Sequence, residues 1–338
     1  MHFSQLRRAI RANWQRSNKI VPYVESAPGI GKSALGRQLA RDLGVLPEHY
    51  VEFNLSNRVE TDIIGVPDVK SDLPYSTWKS APEFYKIRDI PDDPRPRFLL
   101  IEEMSDGQLN MQNPMCRVIY DRAAGELKAH HNCYIYASGN RVEHKSGANK
   151  IITKLAGRVM RLQMDFDMGD FVRFWNENGL NPMILSALRH DNRYVLDFDP
   201  LRDQNPTPRT WELASYVDPE LPDELYVRCI EGFVGSSAAQ YLLTFRQMYG
   251  SLTPTEDILA NPGKYSPPDN PAAQYASIGA LAPHATAANI DELMKYVTKF
   301  PDDMQVAFVQ DALLRCPDIK RSKAIIKFFV DHGNVVFG

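Results

Sequence analysis

The sequence is poor in cysteine, close to neutral in net charge, and free of any apolar run long enough to cross a bilayer. Its four cysteines (Cys116, Cys133, Cys229, Cys316) stand far apart and form no CxxC pair. That excludes a disulfide framework or a structural zinc as the organising feature, and the four read as small buried side chains in a reducing compartment. The net charge of -3 is too small to make nucleic acid the obvious ligand. With neither a membrane-spanning run nor a signal-peptide pattern, a soluble cytoplasmic protein without a membrane partner is expected. Fixed-period repeats and low-complexity tracts are absent too, which excludes a solenoid. His130-His131 is the one pair that suggests a metal. Neighbours on a strand point to opposite faces, so no ion is expected there.

What is present is a globular composition, 43% hydrophobic and 24% charged, in 338 residues, enough for more than one domain. Near the start, Leu6, Ile10 and Trp14 among Arg7, Arg8, Arg11 and Arg16 predict an amphipathic helix packed on the core. The first half then alternates apolar strand patterns (21–25, 50–55, 98–101, 132–138 and 159–164) with helical ones (32–43 and 110–120). Such alternation predicts a parallel α/β sheet. Pro114 should sit in the first turn of its helix or bend it. A Pro- and Asp-rich stretch at 67–96 is too long for a tight connection and reads as a functional insertion. From Asp170 onward the pattern is helical, apart from 253–271, whose Pro, Asn and Asp predict a surface linker.

The strongest local signal is Ser26-Ala27-Pro28-Gly29-Ile30-Gly31-Lys32-Ser33, directly after a strand and opening a helix that continues with Ala34. Gly29 and Gly31 let main-chain N–H groups turn inward around phosphate oxygens. Lys32 is placed to neutralise the β- and γ-phosphates of ATP, and Ser33 to offer a hydroxyl to Mg²⁺. Ser26 stands where such loops usually carry their first glycine. The third strand ends in Glu102-Glu103, where acids beside a phosphate loop hold the metal and activate water. Glu102 is assigned to the metal, one methylene longer than the usual Asp, and Glu103 to polarising the attacking water. Asn140 ends the fourth strand, where a carboxamide can bond both the γ-phosphate and the water. Arg158, with Arg161 as a rival, precedes the fifth strand and could stabilise transition-state charge in a neighbouring subunit. Arg209 begins a later helix and could reach the γ-phosphate from above.

In order, these motifs resemble Walker A, Walker B, sensor 1, arginine finger and sensor 2 of the AAA+ superfamily, and more narrowly its MoxR-like ATPases. Asp62-Ile63-Ile64-Gly65-Val66-Pro67 is similar to the segment before that family's helix-2 insertion, and Gly125-Glu126-Leu127 to the hairpin turn before sensor 1. Asp170 to Trp175, Asn181-Pro182 and Pro208 to Glu212 resemble the lid of a phage and bacterial branch. The resemblance covers most of 18–250. It implies a five-stranded P-loop core at 1–165 with insertions near 68–96 and 122–132, a helical lid at 166–250 carrying sensor 2, and a C-terminal helical extension at 251–338. It also implies an ATP-hydrolysing homo-oligomer, a hexameric ring or spiral completed by Arg158 of the next subunit. That ring would remodel a protein partner, such as a protein with a von Willebrand A domain, in a bacterial or phage-infected cell. Trp78, Phe84 and Tyr85 in the first insertion either grip a polypeptide or form its local core.

Three other readings stay open at the level of sequence. A nucleic-acid remodeller would use Lys128, His130, His131, Arg141, His144, Lys145 and Lys150, and DNA should then raise its ATPase rate in a salt-sensitive way. A small-molecule kinase is disfavoured by the helical lid and by Asn140. A nucleotide-gated scaffold that barely hydrolyses ATP would follow if Glu102 disables turnover.

Overall fold

Four consecutive apolar residues, Phe98, Leu99, Leu100 and Ile101, are all buried, so the strand that carries them must be covered on both faces. The computed structural model describes residues 1–70, 77–141 and 151–336, and it divides into two units, Met1–Asp167 and Met168–Gly338. The first unit runs α1 (Phe3–Trp14), β1 (Pro22–Ser26), α2 (Lys32–Asp42), β2 (Tyr50–Asn54), α3 (Glu60–Ile64), β3 (Val66–Asp68), β4 (Thr77–Lys79) and β5 (Arg97–Glu102). It continues with α4 (Leu109–Tyr120), β6 (Ala123–Ala124), β7 (Leu127–Lys128), β8 (Cys133–Asn140), α5 (Thr153–Ala156) and β9 (Met160–Gln163).

Five of these strands form one parallel sheet in the order β2-β5-β8-β1-β9. Leu99 and Ile101 join the cluster formed with Met111, Met115, Val118 and Ile119 of α4. On the other face, Phe98 meets the edge of Trp14 with ring centroids 5.9 Å apart. Leu6, Ile10 and Trp14 form the buried stripe of α1, and Arg7 clamps that helix to Asp42 of α2 with contacts of 2.7 and 2.6 Å. The sheet order, with a glycine loop after β1 and helices on both faces, is that of the P-loop nucleotide-binding fold.

Departures from expectation are local. Pro114 is the sixth residue of α4 and lies inside it, not in its first turn. The first insertion contains an antiparallel β3–β4 pair, with 71–76 outside the described residues. Phe84 is buried there against Phe53, with centroids 5.3 Å apart, whereas Trp78 and Tyr85 are exposed. The second insertion is the β6–β7 hairpin.

The second unit is helical: α6 (Met168–Glu177), α7 (Pro182–His190), α8 (Pro208–Ala214), α9 (Asp223–Val234), α10 (Ser236–Gly250), α11 (Thr255–Ala260), α12 (Pro271–Leu281), α13 (Ile290–Val297), α14 (Asp302–Arg315) and α15 (Lys323–Val336). The expected linker contains α11, whose Ile258 is buried in the apolar core with Ile278, Leu281 and Leu293. Leu259 and Tyr265 pack against the same core, so three apolar residues anchor a stretch that reads as surface by composition. Residues 168–250 and 251–338 belong to the same unit, with α7 packed on α12 and α6 on α14. A buried polar cluster ties these helices together. Asp311 accepts from Arg189 at 2.5 and 2.7 Å and from Asn176 at 2.8 Å, and Arg315 donates to Asn176 at 2.8 Å.

Candidate nucleotide site

The loop between β1 and α2 turns through Gly29 (φ 76°) and Gly31 (φ 103°), left-handed values that a side chain would resist. Gly31 is the N-cap of α2, so the free N–H groups and the positive end of the helix dipole face the loop. The Tyr136 hydroxyl donates to the Lys32 carbonyl at 2.9 Å and fixes the start of the helix to β8. Within the loop, the Lys32 Nζ donates to the Ser26 Oγ at 3.0 Å, to the Ala27 carbonyl at 3.1 Å and to the Asn140 Oδ1 at 2.9 Å. Ala27 and Ile30 are buried, Pro28, Gly29 and Ser33 half-buried, and Ala34 exposed in the first turn.

The two acids at the end of β5 part company. Glu102 lies 3.9 Å from the Arg37 guanidinium, one turn beyond Ser33 on α2. Arg37 itself grips Glu52 at 2.6 and 3.2 Å. That double contact depresses the Glu52 pKa, the Arg37 hydrogen bond being its main cause. Glu103 has φ 54°, an uncommon conformation for a non-glycine residue and one that marks functional turns. It turns the side chain toward the end of β2, where the Ser56 hydroxyl donates to its Oε2 at 2.5 Å.

Asn140, at the end of β8, links these parts. While its Oδ1 accepts from Lys32, its Nδ2 donates to Asp106 at 2.9 Å, and its main-chain N–H donates to the Ser105 Oγ at 2.9 Å. Ser105 in turn donates to Asp106 at 3.0 Å. Burial raises the Asp106 pKa, against the lowering effect of its Ser105 and Asn140 hydrogen bonds, and the neighbouring Glu103 charge raises it further. The segments that follow β1, β5 and β8 thus bring an ammonium, a carboxamide and the Asp106 carboxylate together at the carboxyl ends of the strands, where open α/β sheets bind ligands.

Two other expected residues of the first unit have partners outside this cluster. Arg158 donates to the Lys154 carbonyl at 2.5 Å and lies over the Tyr120 ring at 5.0 Å. Arg161, on β9, holds Glu25 of β1 at 3.2 and 2.7 Å. Arg209 is exposed at the start of α8 in the second unit. Arg141, counted among the basic residues, is committed to Asp165 at 2.6 Å, and His144, Lys145 and Lys150 lie outside the described residues. Cys229 is exposed, unlike the buried Cys116 and Cys133, because it falls on the outer face of the amphipathic helix α9.

The expectation that His130 and His131 point apart fails. They sit in the turn before β8, outside strand geometry, and their rings are 4.1 Å apart. Burial, with the charges of His131 and Arg97, lowers the His130 pKa, so the two rings do not repel at neutral pH. Ser56, Asp106, Ser105 and Arg37 went unrecognised in the sequence. A polar residue just past the end of β2, beside the strand that carries the acids, was the one available signal for Ser56.

No family model matches this chain, and no curated protein matches it. Among solved structures, it is similar to a DNA polymerase III gamma subunit-related protein of Thermotoga maritima, with 10% identity over 92% of this chain and 83% of that one, at a TM-score of 0.34. NtrX of Brucella abortus in complex with ADP is 13% identical over 93% of this chain and 61% of that one, at a TM-score of 0.41. NtrX in complex with ATP is 12% identical over the same shares, also at 0.41. Likenesses this low carry no argument about what this chain does. Among the described residues, no helix is long and apolar enough to cross a membrane.

Proposed function

We propose that this chain is an AAA+ ATPase of MoxR-like type, which binds ATP with Mg²⁺ at the crevice between the P-loop and the ends of β5 and β8 and hydrolyses it. The observation that carries the reading is the position of Lys32, whose ammonium bridges the loop and Asn140 while Glu103 is held on the adjoining strand end. The Ser33 hydroxyl and the Glu102 carboxylate offer hard oxygen donors suited to Mg²⁺, which when bound would neutralise phosphate charge. Arg37 competes for Glu102, so Glu102 would act through a water.

Each residue has a separable part. Lys32 exchanges the Asn140 Oδ1 for phosphate oxygens. Asn140, released, turns its carboxamide toward the γ-phosphate and the attacking water. Glu103 polarises that water once its carboxylate exchanges the Ser56 hydroxyl for it. Arg158 serves the site of the next subunit in a homo-oligomeric ring or spiral of six, and Arg209 reports nucleotide state to the helical unit. The exposed Trp78 and Tyr85 of the first insertion suit contact with a remodelled protein, a von Willebrand A domain partner being the class that the resemblance favours.

The test is nucleotide titration and phosphate release by the full chain, alone and with single-stranded DNA, duplex DNA or a partner protein. Lys32→Ala should lose nucleotide binding; retained affinity would remove the P-loop assignment. Stimulation by DNA that fades with salt would favour the nucleic-acid reading over the protein-remodelling one.

A further inference from the structure

Away from the nucleotide crevice, the histidine pair faces a segment held by main-chain pairing. The Asp89 N–H donates to the Lys128 carbonyl at 2.9 Å and the His130 N–H to the Ile87 carbonyl at 2.8 Å, flanking an antiparallel bridge between Arg88 and Ala129. The pairing brings Asp89 beside the turn that leads into β8. There Asp89, His130 and His131 each offer a ligand atom, and these atoms all lie within 4.8 Å of one another.

A second observation, independent of that spacing, concerns the His130 ring. The residue is 2% exposed. Its Nδ1 accepts from the Asn132 N–H at 3.1 Å, while the buried Nε2 makes no well-formed hydrogen bond, although the Asp93 main chain lies near enough to the ring to oppose the lowering of its pKa. Orphaned buried polar atoms are rare in folded proteins, and a shift of the ring proton to Nδ1 would leave a lone pair on Nε2 for a ligand. Asp89 and His131 are exposed, so the cluster opens to solvent on one side and is closed by His130 on the other.

We propose that Asp89, His130 and His131 form a binding site for a divalent transition-metal ion of the zinc type, which ties the end of the first insertion to the base of the β6–β7 hairpin. Two imidazoles and one carboxylate suit zinc and its borderline-soft neighbours, whereas Mg²⁺ prefers an all-oxygen shell. Three protein ligands leave the fourth tetrahedral position to water. With Nδ1 accepting from Asn132, the neutral His130 ring carries its proton on Nε2. Coordination through Nε2 of the neutral ring requires that proton to move to Nδ1, which breaks the Asn132 bond. Acid, which protonates the rings, therefore weakens binding. The ion stiffens an insertion that shares no residue with the nucleotide cluster.

The experiment uses the full chain, stripped with chelator, free of nucleotide and Mg²⁺, and titrated with zinc chloride against a chromophoric chelator. One zinc per chain is expected. His131→Ala and Asp89→Asn, both at exposed positions, should each weaken it by at least the ~10-fold that even outer partners of a metal site are worth. Zinc should raise the Tm of the wild-type chain more than that of either variant at the same concentration. Absence of stoichiometric uptake, or uptake and Tm shifts equal in wild type and both variants, overturns the proposal. So does zinc affinity that falls in Ser33→Ala while His131→Ala is unaffected, since the ion would then belong to the P-loop.

Discussion

The polar clusters of the two units differ in whether their partners can be exchanged. In the helical unit, Asp311 is 3% exposed and takes both arms of Arg189 together with Asn176, so both carboxylate oxygens are engaged, beside a cavity that Arg189 helps to line. At the strand ends of the first unit, Lys32 meets Asn140 through a half-buried hydrogen bond and Glu103 meets Ser56 through an exposed one, and other groups could replace either. The first kind of cluster holds helices together. The second kind holds reactive groups in waiting, at the cost of a strained φ at Glu103.

The sharpest way to break this comparison is Glu103→Gln, with the largest expected effect. Turnover should fall ~10²–10⁴-fold with ATP affinity retained, as read by phosphate release and nucleotide titration. Normal turnover would move the water-activating role to another residue. Asp311→Ala should destabilise the helical unit by about 3–5 kcal/mol, because it strands Arg189 in the interior. Denaturant unfolding measures this, and a loss nearer that of a surface ion pair would show the cluster to be less closed than its geometry implies.

Ser56→Ala is smaller, about 1 kcal/mol or roughly fivefold. If Ser56 restrains Glu103, the basal ATPase rate should rise; a fall would make Ser56 part of the working site. Asp106→Asn is the smallest. A raised carboxyl pKa means that folding favours the protonated form, so ionised Asp106 costs stability above its folded pKa, and that cost disappears as pH falls below the unfolded value. The substitution should therefore raise Tm slightly near pH 8 and leave it unchanged near pH 3, measured by thermal melts across that range; an equal shift at both ends would remove the titration as its cause.

Much of the candidate site was legible in the chain. The glycine loop between a strand and a helix and the acids after an all-apolar strand are local patterns, as is Asn140 after the next strand. The partners that tune them were not. Ser56 meets Glu103 across 47 residues of chain, and Asp106, in a Ser-Asp-Gly run, looks like any turn residue until Asn140 is placed against it. The histidine pair was misread because alternation was applied to residues that lie in a turn. The segment 253–271 was misread because composition outweighed Ile258, Leu259 and Tyr265, which pack on the helical core.

By itself the sequence determined the alternation of strands and helices and the chemical types gathered after β1, β5 and β8, since periodicity and loop chemistry act over a few residues. Only the tertiary structure decided that Glu102 turns to Arg37 while Glu103 turns to Ser56, and that Asp89 joins two histidines. Those outcomes depend on which strand lies beside which, and strand order is settled by packing across the whole sheet.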